Sequence, residues 1–327
     1  MLNNIKNIAR TASFTVALTG FTLSSIIGTA NAAVFPQKTV NLVIWSGAGG
    51  ALDTYGRKLG ELLEKEAGWS VKIDNRPGGS GAVGVSTVMA QPNDGYNILV
   101  MTGTLSFGIA QGLIPFGVDD LRLLRAMQSE PSALAVVKDS PFQTTADFVR
   151  YMKDNPNGLK VGGHAPGGFH QYMLYQMMGQ EDFESGWIPF DASGKVTLAL
   201  LGKHLDAAMM TPSTGLAQVK NGDVRLLGIS TEDRTSFLPE VPTYTEQGID
   251  VSGAIWRGVG VKAGTPDDVV VSIQEAIDKV IASDSWKNFQ VEQFQDSPNW
   301  GEEEFTKRVK SDIEQQSKFL KAAGFMQ

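Results

Sequence analysis

The chain contains no cysteine. That excludes disulfides, thiolate metal sites, cysteine nucleophiles and a lipid-bearing cysteine behind an export leader. Histidine is nearly as scarce, with only His164, His170 and His204 present. His164 and His170 lie six apart across a Pro-Gly-Gly turn, with no H-E-x-x-H pattern and no carboxylate at helical spacing, which leaves zinc without a ligand set. No G-x-S-x-G elbow occurs, and Ser106 in Gly103-Thr104-Leu105-Ser106-Phe107-Gly108 has the wrong spacing for one. Basic residues are outnumbered 28 to 35, giving a formal net charge of −7. An acidic surface argues against nucleic acid or an anionic membrane as partner. A long apolar run is missing too: hydroxyls from Thr11 to Ser25 dilute the uncharged N-terminal stretch below a convincing membrane span.

That stretch reads instead as a leader. Lys6 and Arg10 give a positive start, an uncharged segment follows, and Ala30-Asn31-Ala32 offers a small-x-small cleavage site before Ala33. A signal peptide over residues 1–32, cleaved near Ala32, implies export to the periplasm. Removing 32 of the 327 residues leaves 295, and loss of two basic residues moves the charge from −7 to −9. The remainder suffices for one large domain or two medium ones.

Strand-like runs alternate with amphipathic helical segments. Strands are expected at Val40–Trp45, Val71–Asp74, Ile98–Thr102, Leu134–Val137, Leu159–Gly162, Leu205–Met210, Leu226–Ile229 and Ile255–Val261. Helices are expected after Asp53 and at Thr145–Lys153, Phe169–Met178, Val196–Lys203, Pro266–Ile281 and Gly301–Ala323. Such alternation predicts an α/β fold with mostly parallel sheets and flanking helices. Hinge crossings fit best near Gln128–Ala133 and Gly248–Gly253.

The first strand runs through Trp45 into Ser46-Gly47-Ala48-Gly49-Gly50 and a helix near Asp53. A glycine turn leading into a helix presents backbone N–H groups at its positive end, a natural seat for an anion. A second such turn, Gly162-Gly163-His164-Ala165-Pro166-Gly167-Gly168, opens the helix at Phe169. Two such helix starts facing each other across a cleft would grip an acid from both sides. Trp45 either walls the pocket or fills the core, and Asp53 reads as an N-cap. Gly79-Ser80-Gly81-Ala82-Val83-Gly84 matches G-x-G-x-x-G, but the acid expected about 20 residues on is missing.

Several blocks together resemble the substrate-binding proteins of the tripartite tricarboxylate transporter family, the Bug-type receptors. They are Ala48-Gly49-Gly50-Ala51-Leu52-Asp53 with Arg57, Asp74-Asn75-Arg76-Pro77-Gly78-Gly79-Ser80-Gly81, Asn93-Asp94-Gly95-Tyr96, Leu238-Pro239-Glu240-Val241-Pro242-Thr243 and Ala263-Gly264-Thr265-Pro266. The resemblance implies a two-domain, Venus-flytrap receptor with its cleft between the domains. Domain 1 would span 33–131 plus 253–327, and domain 2 would span 132–252. It also implies a monomer that captures a small organic acid and hands it to integral membrane permease subunits, with no enzymatic activity, cofactor or metal.

Carried over by motif, the binding residues would be Ser46, Gly47, Gly49 and Gly50 on one side and Gly163, His164, Gly167 and Gly168 on the other. Thr102 and Ser106 follow the third strand and would face the cleft, with Trp45 and Asp53 beside the first turn. Met210 and Thr211 stand where many relatives carry Asp-Asn, and Asp191 stands where they carry lysine. Those departures disfavour an amino acid and suit an acid with a sizeable apolar part, an aromatic acid or a dicarboxylate. Competing readings are a periplasmic oxidoreductase using the Gly79–Gly84 turn and a ligand-sensing partner of a signalling receptor.

Overall fold

A computed structural model describes residues 35–164, 166–190 and 193–326. The expected leader, and Asp191 with its departure from the resembled pattern, lie outside the described residues.

The chain begins with β1 (Val40–Ile44), α1 (Ala51–Ala67), β2 (Val71–Asn75), α2 (Ala82–Met89), β3 (Asn97–Thr102), α3 (Thr104–Ala110) and β4 (Leu121–Pro131). It continues through β5 (Ala133–Val137), α4 (Thr145–Asp154), β6 (Val161–His164), α5 (Phe169–Glu181) and β7 (Ile188–Phe190). Then come α6 (Ser193–Leu201), β8 (Ala207–Met210), α7 (Leu216–Lys220) and β9 (Val224–Ile229). The last stretch holds β10 (Ala254–Lys262), α8 (Asp267–Ala282), α9 (Asp284–Glu292) and α10 (Glu302–Ala322).

Two five-stranded sheets result, in the orders β2-β1-β3-β10-β4 and β7-β6-β8-β5-β9. β1 runs parallel to β2 and β3, and β6 runs parallel to β7 and β8. Both sheets are nonetheless mixed, because β10 and β5 run antiparallel to their neighbours. These are the strands by which the chain arrives from the other sheet, so they enter against the βαβ direction. This is a two-domain α/β fold with helices on the sheet faces.

The inner parallel strands are buried on both faces, as Leu42, Val43 and Ile44 of β1 illustrate with no exposure at all. That is why they read as continuous apolar runs rather than alternating ones. Helix α1 covers its sheet with Leu52, Tyr55, Leu59, Leu62 and Leu63, the i, i+3, i+4 stripe of an amphipathic helix.

The two sheet-to-sheet passages are tied together. Ser132, the single residue between β4 and β5, donates its N–H to Ser230 Oγ at 2.9 Å, and Ser230 N–H returns to the Ser132 carbonyl at 3.0 Å. Ser230 Oγ in turn donates to the Gly253 carbonyl at 2.6 Å, and Gly253 N–H reaches the Ser230 carbonyl at 2.7 Å. These reciprocal bonds satisfy the backbone of the junction, so the two passages stay side by side.

Candidate functional site

The turn after β1 opens α1 with Gly50 as N-cap and no side chain capping it. Asp53 is therefore the third helical residue rather than the N-cap expected from sequence. Its carboxylate folds back and accepts from Gly49 N–H at 2.8 Å, Arg57 Nε at 2.8 Å and Asn75 Nδ2 at 2.9 Å. Burial pushes the Asp53 carboxyl up, but those donors, Arg57 foremost, outweigh it and hold the group below the usual carboxylate range. The turn thus has an anion of its own. Gly49 sits at φ +84°, a conformation that glycine takes without strain, and nothing lies within 4 Å of where its Cβ would be. A side chain there would strain the backbone, not crowd a neighbour.

Trp45 is core. It is 6 % exposed, and its atoms lie 2.5 Å from where a Cβ on Gly81 or Gly84 would sit. Two of the glycines that imitate a dinucleotide fingerprint are small because Trp45 lies against them, its indole on Gly81 and its Cβ on Gly84. Gly163 has a similar reason: a Cβ would stand 2.6 Å from the Met209 carbonyl of the neighbouring strand and 2.4 Å from the Trp187 ring. Gly163→Ala is expected to cost about 1–3 kcal/mol, the scale of core overpacking, read as a lower midpoint in urea denaturation. A variant as stable as the parent would show that β6 yields freely.

A cavity of about 660 Å³ opens where loops from both sheets meet. His164 lines it from the end of β6, Pro166, Gly167 and Gly168 from the loop that follows, and Thr211 and Ser213 from after β8. Gly103 and Thr104 line it from the end of β3, and Ala51 and Ser80 from α1 and the turn before α2. Of the residues expected from sequence, the structure brings together His164, Gly167, Gly168 and Thr211. Ser46, Gly47, Gly49 and Gly50 approach the cavity only through their neighbour Ala51, and Thr102 through Gly103. Met210 is buried, with its Cε 2.5 Å from where a Cβ on Gly215 would sit. Ser106 is buried within α3, its Oγ without a hydrogen-bond partner among the described residues.

Helix α5 starts at this cavity with Gly168 as N-cap and no side-chain cap. Gly167 N–H is taken by Gln171 Oε1 at 2.7 Å, and among the described residues the first-turn amides of the helix have no side-chain acceptor. His170, in that first turn, shares a 2.8 Å hydrogen bond between its Nδ1 and Ser132 Oγ. Burial, with a smaller contribution from His164, pushes the His170 pKa down to about 3, so its imidazole is neutral.

Sequence reading misses the floor and back wall. Arg257, beside Trp256 on β10, lines the cavity and forms a buried ion pair with Glu130 at 2.9 Å. Ser213 and Gln295 also donate to Glu130. Tyr172, Arg308 and Asp312 add further polar groups, and Phe107 and Phe169 add apolar ones. Among the described residues no group of histidine, aspartate and glutamate is placed to hold a metal ion, and no helix is long and apolar enough to cross a membrane.

The family profile for TctC, the tripartite tricarboxylate transporter family receptor, matches residues 56–325. A UPF0065 protein of Bordetella pertussis is 28 % identical over 251 residues, covering 76 % of this chain and 77 % of that protein. The crystal structure of a TctC solute binding protein from Polaromonas, without ligand, has a TM-score of 0.80 at 24 % identity, over 88 % of this chain and all of that one. An R. palustris structure with adipate has a TM-score of 0.73 at 25 % identity, over 89 % of this chain and 98 % of that one. The chain belongs to the TctC family of tripartite tricarboxylate transporter receptors, and it is a solute receptor rather than an enzyme.

Proposed function

We propose that this receptor captures a small organic carboxylate in the periplasm and delivers it to the membrane permease of a tripartite tricarboxylate-type system. The observation that carries the reading is the uncapped start of α5 in the cavity wall. Its free first-turn N–H groups and the helix dipole favour a carboxylate head. His170 adds no positive charge there, so the anion is met by hydrogen-bond donors, each worth about 1.5–3 kcal/mol toward a charged group. A few of them reach the roughly 8 kcal/mol of micromolar binding.

The two lobes we assign are 33–131 plus 253–327 and 132–252, each supplying one wall. Closure on the ligand follows if the acid touches both walls only in the closed state. Phe107, Phe169 and Trp256 give the cavity an apolar share suited to an acid with a sizeable body, an aromatic acid or a dicarboxylate. The adipate seen with the R. palustris relative supports an acid of about that size.

A thermal-shift screen of aliphatic and aromatic acids tests the reading. An acid at 100-fold excess over its dissociation constant is expected to stabilise the chain by about 2.7 kcal/mol. Shifts with neutral sugars or simple amines, and none with any acid, would sink the assignment.

A further inference from the structure

The cavity carries a carboxylate that no part of the anion-binding reading uses. Asp312, on α10, lines it, and its Oδ2 accepts a 3.3 Å hydrogen bond from Trp256 Nε1. Its Oδ1 takes no hydrogen bond from any described residue, and no lysine or arginine stands at ion-pair distance among those residues. Arg308, one turn earlier on the same helix, is engaged elsewhere: with Glu304 at 2.6 Å, with Glu232 at 3.9 Å, and 4.5 Å over the Trp300 ring. The other cavity cation, Arg257, is held by Glu130. Around Asp312 the cavity wall is aromatic, from Trp256 and Tyr172, and the Tyr172 hydroxyl is spent on Gln315 Oε1 at 2.9 Å.

The geometry points to Asp312 as the group that sets ligand specificity, accepting a hydrogen-bond donor on the body of the acid, a hydroxyl or an ammonium, and so narrowing the proposed ligand class toward acids that carry such a donor and away from a plain dicarboxylate. This rests on the carboxylate-receptor reading and deepens it. A carboxylate head placed at Asp312 would bring two like charges together in a partly dry cavity, so the head belongs at α5 and the donor at Asp312. An ammonium would gain both the ion pair and the aromatic faces; a hydroxyl would gain one charge-assisted hydrogen bond. Burial, opposed by Trp256 and Arg308, pushes the Asp312 pKa up to about 6, so the group is still ionised at pH 7.5.

A matched six-carbon series separates these cases: hexanoate, 6-hydroxyhexanoate, 6-aminohexanoate and adipate, titrated calorimetrically at pH 7.5 against the parent chain and Asp312→Asn. Each acid carries the same head and differs only at the far end. In the parent chain, 6-hydroxyhexanoate or 6-aminohexanoate is expected to bind about tenfold tighter than hexanoate, the scale of one hydrogen bond to a charged group. Adipate is expected to bind more weakly than hexanoate. Asp312→Asn should weaken the 6-aminohexanoate complex about tenfold, tighten adipate by a similar factor and leave hexanoate within about twofold. The two donor acids distinguish the sources, since only the ammonium falls so steeply on loss of charge. Equal changes for all four ligands, or none, overturn the proposal while leaving the receptor reading intact. Silence across the whole series also overturns it, and the broader acid screen then decides separately whether the receptor reading survives.

Discussion

Glu130→Ala is expected to lower stability by about 3–5 kcal/mol, the cost of leaving a buried charge without its partner. Glu130 is fully buried and Arg257 is 7 % exposed, with Arg257 donating from Nη2 at 2.9 Å. The carboxylate also accepts from Gln295 Nε2 at 3.2 Å and from the Ser213 hydroxyl. Alanine would therefore strand a guanidinium and two further donors together. A urea titration should show a lower midpoint at unchanged slope. The pair itself adds little over an apolar filling, because desolvation consumes most of its Coulomb energy. A Glu130→Leu, Arg257→Met double variant should therefore recover the part of the loss due to the stranded guanidinium, and leave the part due to Gln295 and Ser213. A single variant that costs less than about 1 kcal/mol, the range of exposed pairs, would mean that water reaches Arg257 through the cavity.

That ion pair also shows where sequence reading stops. Nothing in the local pattern predicts β4, although at 11 residues it is longer than any other strand described. Leu121-Arg122-Leu123-Leu124-Arg125-Ala126-Met127-Gln128 is composed of good helix formers without strand alternation. It is a strand because β10 pairs along its whole length, from Lys262 opposite Leu121 to Ala254 opposite Pro131. Contacts so distant in the chain leave no local signature. β1 and β3, by contrast, are legible because burial on both faces makes Leu42-Val43-Ile44 and Ile98-Leu99-Val100-Met101 continuous apolar runs.

The candidate site divides the same way. Gly167 and Gly168 stand out because a strand, a glycine turn and a helix leave a local pattern. Their partners Trp256 and Arg257 come from a strand about 90 residues away, and Asp312 is one acid among many on a charged amphipathic helix. Nothing in its spacing marks it. Glycine itself is too readily read as function. Gly163 and Gly81 are small because a strand carbonyl and an indole lie against them, a packing demand with the same one-letter code as a ligand's approach.

Lowering the pH from 7.5 to 4 is expected to withdraw about 3 kcal/mol of stability through His170 alone. The unfolded imidazole titrates near 6.5, and burial in the fold, helped by His164, pushes the folded value down to about 3. A depressed folded pKa means that the unfolded chain binds the proton first. The contribution of His170 is therefore complete above pH 6.5, shrinks by about 1.4 kcal/mol per unit below it, and is gone once pH falls through 3. Asp312 works in the opposite direction: its folded pKa of about 6 stands above the ordinary 3.8, so its ionisation costs stability above 6 and that cost is relieved between 6 and 4. The two effects oppose each other across that interval, so the parent chain alone would show a shallow profile. Chemical denaturation of parent and His170→Gln at pH 7.5 and pH 4 isolates the histidine. The gap between them should narrow by about 3 kcal/mol, because glutamine keeps a polar group facing Ser132 but has no proton to gain. A gap that stays constant would mean that the imidazole is charged or solvated in the fold. It would then stand as a cation beside the start of α5, and the carboxylate head would be met there by a charge as well as by amides.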